Sequence, residues 1–365
     1  MRLIQNYYDN VEEKAVPINV LSLPYPVTFV VRYPERWPEL FQPSETSIPD
    51  PNSLYSRIQS YEDCWIILTY LYLKQKHLNV SISDKFIPGE ICVVSSQELG
   101  IKDRTFNSFV VGCRSDGFQP LLCDIAVVQN KVCLDSETDI FIPHWPQPGL
   151  IPRLKERGST IENIVFKGDE INLYESFRSP EFKRELEKLG VTLRINGKRE
   201  NEPVMWHDYS TDDLVLAVRD LTEKDALVKP ASKLVNAWIA GVPALLGPEP
   251  AFGEQRQSDL DYIEVTTPQA VFEAVKLLKS QPELYQKMVA NGLKRAEDFT
   301  TEKMIQRWYE FLAGPVADGY KRWSKRTQVS RIAEFSLRSI QHKIAGRKAA
   351  YNRLHGYRPI SGRHT

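Results

Sequence analysis

The chain has 365 residues, 42% hydrophobic and 26% charged, proportions that exclude a disordered or collagen-like protein and suffice for two domains with separate cores. Its formal net charge is zero, yet the charges are segregated: residues 321–365 hold twelve Lys and Arg against Glu334 alone, +11, leaving −11 on the first 320. No apolar run approaches the roughly 18 residues of a membrane-spanning helix, and the richest, 65–73, reads as a buried helix. The first residues show no basic patch followed by an apolar core, so no secretory signal is expected and the chain is read as cytoplasmic. Five cysteines at 64, 92, 113, 123 and 133 have neither CxxC nor zinc spacing, which predicts reduced, mostly buried thiols.

Short β-branched and apolar runs at 28–31, 80–83, 91–94, 109–113, 125–128 and 140–143 are continuously apolar, as suits strands buried on both faces of a parallel sheet. One long helix, 55–75, separates the first two, and no glycine precedes Gly89, which argues against a Gly-rich phosphate loop at the first strand. The proline-rich stretch 144–152 marks a domain boundary. Beyond it strands at 163–166, 192–195, 214–218, 242–246 and 263–265 alternate with helices at 180–189, 232–240, 268–279, 282–298 and 301–312, a second doubly wound sheet. The division is therefore 1–150, 151–315 and a basic helical tail, 316–365, with ligands expected at the carboxyl ends of the strands.

Chemistry concentrates in KPASKLVNAWIAGVP at 229–243. Pro230 suits a helix start and Ser232 a cap. A helix N-terminus at a strand's carboxyl edge favours an anion, and Lys229 and Lys233 add two cations. Lys233 and Asn236 share a face at i, i+3, and Gly241 is small enough to admit a ribose or base. The residues alone leave a second reading, in which Ser232 only caps a helix whose Leu234, Trp238 and Ile239 pack in a core. Gly168 after the 163–166 strand is a phosphate approach or a turn glycine with positive φ. Arg219 follows the 214–218 strand and serves phosphate or a partner acid. Glu249, after the next strand, faces the donor sugar or lies in a plain turn. Asp116, in an S-D-G segment after the 109–113 strand, is a general base toward an acceptor hydroxyl or part of a surface turn. His144 and His207 are cleft residues or satisfy local hydrogen bonds. The sequence shows no HxH, HExxH or DxD metal setting, so neither metal nor cofactor is expected.

The run SKLVNAWIAGVPALL at 232–246 resembles the donor segment of GT-B glycosyltransferases, P-S-K-L-x-E-x-x-A-x-G-x-P-V. WHDYSTDDLVLAV at 206–218 is similar to that family's strand entry before the donor helix, NIVFKG at 163–168 to the first strand of its second domain, and 280–313 to its closing helices. The resemblance implies two Rossmann-like domains and metal-independent transfer from a nucleotide-diphosphate sugar to a saccharide or lipid-linked acceptor. It assigns the diphosphate and ribose to Lys229, Ser232, Lys233, Asn236, Gly168, Arg219 and Gly241, and catalysis to Asp116 and Glu249. Many retaining members carry Glu where this chain has Asn236, with another acid where it has Val228; an amide lacks the charge-assisted strength of a carboxylate. The alternatives are a catalytically silent GT-B-like binding protein and a nucleotide-sugar epimerase.

In the tail, Val329, Ile332, Ala333, Leu337, Ile340 and Ile344 form a helical stripe among Arg331, Arg338, Lys343, Arg347 and Lys348. Such a helix lies on an anionic bilayer, giving peripheral attachment through 321–365, or docks on the acidic body, or extends unfolded. No recognition module accompanies the charge, so nucleic acid is not expected.

Overall fold

The structure, a computed structural model, describes residues 22–42, 48–117, 119–197 and 205–355. The first 21 residues of the first half and the last ten of the tail lie outside the described residues.

The first sheet has six parallel strands, β1 (Val27–Val30), β2 (Val80–Ser83), β3 (Ile91–Ser95), β4 (Phe109–Cys113), β5 (Ile125–Val128) and β6 (Asp139–Phe141), in the order β2-β1-β3-β4-β5-β6. Its apolar runs are covered on both faces, and β1, β3, β4 and β5 are buried at every residue. The expected 55–75 helix begins later: a π-helical turn, Asp63–Ile67, runs into α1 (Leu68–Gln75). Later crossovers use 3-10 turns such as Ile101–Asp103 and Thr105–Asn107.

The second sheet has five parallel strands, β7 (Asn163–Phe166), β8 (Thr192–Ile195), β9 (Leu214–Ala217), β10 (Ala244–Leu246) and β11 (Ile263–Glu264), ordered β8-β7-β9-β10-β11. Its helices are α2 (Pro180–Lys188), α3 (Glu223–Val228), α4 (Ser232–Ala240), α5 (Pro250–Gln255), α6 (Pro268–Ser280) and α7 (Pro282–Ala296). Proline opens α2 and α6, and Ser179 and Thr267 accept hydrogen bonds from the first-turn N–H groups of Phe182 and Ala270. The short α3 stands where the sequence reading has a loop; Thr222 caps it.

After α8 (Thr301–Phe311) a π-turn, Leu312–Val316, admits Pro315 without ending the helical run, which continues as α9 (Ala317–Ser324). These helices leave the second sheet and cross to the first. Met304, Ile305, Trp308, Phe311, Leu312, Val316 and Trp323 join α1 in the core on one face. The tail helix α10 (Gln328–His355) reaches the other face, where Phe335 packs against a cluster containing Val94, Val110 and Leu122. Its first half is thus docked on the body. The connector 144–152 is pinned at both ends: Trp145 donates to Thr69 Oγ1 at 2.8 Å and stacks on Tyr72, while Ile151 N–H donates to the His207 carbonyl at 2.9 Å.

Both sheets follow one doubly wound order, with switch points between β1 and β3 and between β7 and β9. Residues after β4 and β5 touch residues after β9, so the two carboxyl edges face each other across a cleft. This is the two-domain GT-B-type architecture expected from the sequence. Four of the five cysteines are buried and Cys64 is half-buried, all as free thiols. No helix among the described residues is long and apolar enough to cross a membrane.

Candidate functional site

The site forms at the β7/β9 switch point. β7 delivers Lys167 and Gly168 to the cleft edge, but the Lys167 side chain turns inward. Its ammonium pairs with Asp212 at 2.6 Å and lies 4.3 Å from the Tyr209 ring centroid; burial, only partly opposed by Asp212, lowers its pKa. Its carbonyl faces the cleft and accepts a hydrogen bond from Lys233 Nζ. Gly168 does not adopt positive φ, so the turn-glycine reading is corrected. Its role is steric: a Cβ there would stand 3.3 Å from the Lys233 ammonium, crowding it off that carbonyl.

Lys233 lies in the first turn of α4. Burial, reinforced by the cations of Arg219 and Lys229, lowers its pKa to about 7. Ser232 is not the cap: Ala231 holds that position and no side chain caps the helix start. The first turn's N–H groups therefore retain their attraction for an anion.

Arg219, just past β9, pairs bidentately with Glu249, which follows β10; Nε donates to Oε1 at 2.8 Å and the second contact is shorter still. Both side chains are nearly buried. Glu249 is thus committed to Arg219, which corrects its assignment to the donor sugar. Lys229, following α3, meets Asp116 of the first half at 2.5 Å. Asp116 also accepts from Tyr61 Oη at 2.9 Å and Gln129 Nε2 at 3.0 Å. Burial pushes the Asp116 carboxyl up, but Lys229, Tyr61 and Arg219 together outweigh it and hold the group below the usual carboxylate range. An anion so held is a weak base, and the general-base assignment gives way to that of counter-ion for Lys229.

Two further assignments move. Asn236 Oδ1 accepts from the Gln147 N–H at 3.0 Å, so the amide fastens the interdomain connector. Gly241 ends α4 in the left-handed conformation, φ +68°, with Val289 and Leu293 of α7 as its neighbours. It lies eight residues from Lys233, about 12 Å along the axis. His207 stacks against Tyr55 with centroids 3.7 Å apart, joining the two halves. His144 Nδ1 bonds the Trp145 carbonyl at 2.7 Å, and burial lowers its pKa.

Sequence reasoning missed three groups. Tyr61 and Gln129 hold Asp116, and Asn130 Nδ2 donates to the carbonyls of Leu227 at 2.8 Å and Lys229 at 2.7 Å, fixing the segment that presents Lys229. The signal for the amides was the polar Gln129-Asn130 pair directly after the apolar run of β5, a strand's carboxyl end. Among the described residues no group of three or more His, Cys, Asp or Glu side chains is arranged for a metal ion.

No family model matches the sequence, and no curated protein matches it. Solved structures similar to the chain include AviGT4, a glycosyltransferase involved in avilamycin A biosynthesis, with 11% identity over 82% of this chain and 98% of that one and a TM-score of 0.48. HepE of Anabaena in complex with UDP is 12% identical over 79% of this chain and 99% of that one, TM-score 0.45. An α1,3-fucosyltransferase with GDP-fucose is 10% identical over 83% and 93%, TM-score 0.45. All three likenesses are remote in sequence and partial in superposition.

Proposed function

We propose that the chain transfers a sugar from a nucleotide-diphosphate donor, bound at the β7/β9 switch point, to a saccharide or lipid-linked acceptor held by the first half, while attached to an anionic membrane surface by its basic tail. The observation that carries the donor reading is the Lys233 ammonium, set by Gly168 beside the uncapped start of α4. A buried cation with a depressed pKa gains most from an arriving anion. Lys229 and Arg219 stand close enough to Lys233 to affect its charge. Stabilisation of the departing diphosphate by these cations and the helix N-terminus is the electrostatic part of the reaction, with the chain's own charges in place of a metal. Gly168 and the first turn of α4 supply the close backbone approach.

The second reading is a catalytically silent binding protein. What favours it is that Asp116 and Glu249 already neutralise Lys229 and Arg219, leaving no described carboxylate free in these contacts to act as a base. An epimerase of the same fold would release an altered sugar without an acceptor.

Calorimetric titration with UDP, GDP and ADP, repeated on Lys233→Ala, tests the donor site. Micromolar binding of one diphosphate that the substitution weakens by about tenfold or more supports it. No binding of any of the three at millimolar concentration sinks the transferase and leaves the binding protein.

A further inference from the structure

The tail helix α10 presents two unlike faces. Toward the body, Arg331 lies over the Trp323 ring, 3.7 Å from its centroid, Phe335 meets Phe106 edge-on at 5.8 Å, and Arg338 pairs with the buried Asp124 at 2.8 Å. Glu334, the one acid of α10, is taken up by Arg326 and Arg338. Ser339 is buried and no residue from 340 to 348 is. On the other side Val329 is 77% exposed, Leu337 57%, Ile340 57% and Ile344 61%. At about 100° per residue these four fall within about 80° of arc, opposite Arg331 and Arg338. Lys343, Arg347 and Lys348, all exposed, lie within and beside the same stripe.

We infer that this outward face of α10, with Leu337, Ile340 and Ile344 as its apolar centre and Lys343, Arg347 and Lys348 as its cations, is a docking surface for an anionic lipid bilayer. The inference deepens the membrane part of the proposed function and stands apart from its donor site. Apolar side chains mixed with cations on one face match the headgroup and acyl boundary, where aliphatic tips enter and lysine and arginine stems reach back to phosphate. Over the docked first half the opposite, polar face finds its partners in the body.

A second copy of the chain fits less well. Ala333, Leu337, Ile340, Ile344 and Arg347 follow four-three spacing, a coiled-coil seam, but Arg347 falls in that seam. Parallel pairing sets Lys343 of one helix against Lys348 of the other with no acid to intervene. An anionic bilayer converts the same repulsion into attraction. Nucleic acid answers the charge but gives the aliphatic side chains nothing to bury against.

The body contacts of α10 also fix orientation. They fall at Phe106 and Asp124, which precede β4 and β5, whereas the cleft opens beyond the carboxyl ends of the same strands. The docked half of α10 is therefore anchored near the starts of these strands, away from the cleft.

The test is flotation of the full chain with vesicles of phosphatidylcholine alone and of phosphatidylcholine mixed with phosphatidylglycerol. Binding confined to the anionic vesicles is expected. It should fall on the order of a hundredfold when Lys343, Arg347 and Lys348 are all replaced by Gln, and should be lost in Ile340→Glu with Ile344→Glu. Unchanged thermal unfolding in both variants shows that the docked half of α10 stays in place. Failure to bind anionic vesicles, equal binding to neutral ones, or indifference to both variants overturns the inference. So does a lipid-free dimer, seen by light scattering, that Ile340→Glu dissociates, or retention of duplex DNA in place of vesicles. None of these outcomes touches the diphosphate titration, so the two readings fail separately.

Discussion

The two halves share one strand order but complete it by different means. The second sheet is wrapped by helices from its own segment, with core clusters on both faces drawn from residues 161–299. The first borrows Trp308, Phe311, Val316 and Trp323 on one face and Phe335 on the other. The switch points differ as well. At the end of β7 the close approach is left to Gly168 and Lys233. At the end of β1 the chain fills the place itself: the Glu62 carboxylate accepts from the N–H groups of Arg32 at 2.6 Å and Tyr33 at 3.3 Å. An anion site needs unsatisfied donors, and after β1 the described N–H groups of Arg32 and Tyr33 are already taken.

Truncation after residue 300 should break this comparison most severely. The first sheet loses its borrowed cover on both faces, and its amides should exchange freely while those of β7 and β9 stay protected, as read by hydrogen exchange. Trp308→Ala should cost about 3–5 kcal/mol and lower the urea midpoint of the first half, although the residue follows the last strand of the second. Asp213→Ala is the matching blow to the second half. That carboxylate is fully buried and accepts from Arg153, Arg157, Asn163 and the Glu162 N–H, so its removal leaves the nearly buried Arg153 guanidinium without its carboxylate, while Arg157 keeps Glu162, at about 3–5 kcal/mol, with the first-half midpoint unchanged.

Lys233 gives a smaller effect with a definite sign. With its pKa near 7 in the empty protein, the ammonium is present below that pH and lost above it. Diphosphate affinity should therefore fall as pH rises above about 7, and binding at higher pH should take up a proton, visible as a calorimetric enthalpy that depends on the buffer. Stability runs the other way. The folded pKa lies below the unfolded one, so the penalty is full below about 7 and is relieved as pH climbs toward the ordinary lysine range of about 10.4. Lys233→Ala should weaken diphosphate binding by about ten to a hundredfold. The smallest change is Asp116→Asn, which removes a competing anion from Lys229 and should tighten diphosphate binding by about fivefold, the scale of a partly exposed ion pair. Weaker binding in that variant would return Asp116 to a direct role with the substrate.

Nearly every strand was legible from its apolar run, and so were the second half's longer helices, which open near a proline or a hydroxyl; the six-residue α3 and α5 were not, being too short for helical periodicity. The first half's crossovers were not. A 3-10 turn such as Thr105–Asn107 is too short for helical periodicity, and the helices that cover its sheet are written some 200 residues later. In the site, Lys229, Lys233, Arg219 and Gly168 were legible because each follows a strand or opens a helix at one edge. Asn236 shares a face with Lys233, yet that face turns toward the connector, which spacing along one helix does not reveal. The states of Asp116 and Glu249 depend on partners 113 and 30 residues away, a matter of tertiary pairing. The tail was legible as a helix with a stripe; which face meets the body was settled by Asp124, an acid with no local mark.

The return of the last helices to the first sheet has a consequence for the order of synthesis. A ribosome finishes β6 at Phe141 long before it reaches Trp308 or Phe335, and at roughly 5–20 residues per second the first sheet waits on the order of ten to forty seconds with bare apolar faces. The second domain has its core complete by residue 299, soon after its own strands are made, although it is encoded second. The N-terminal sheet, with its row of valines, is the part of the nascent chain that a chaperone must shield.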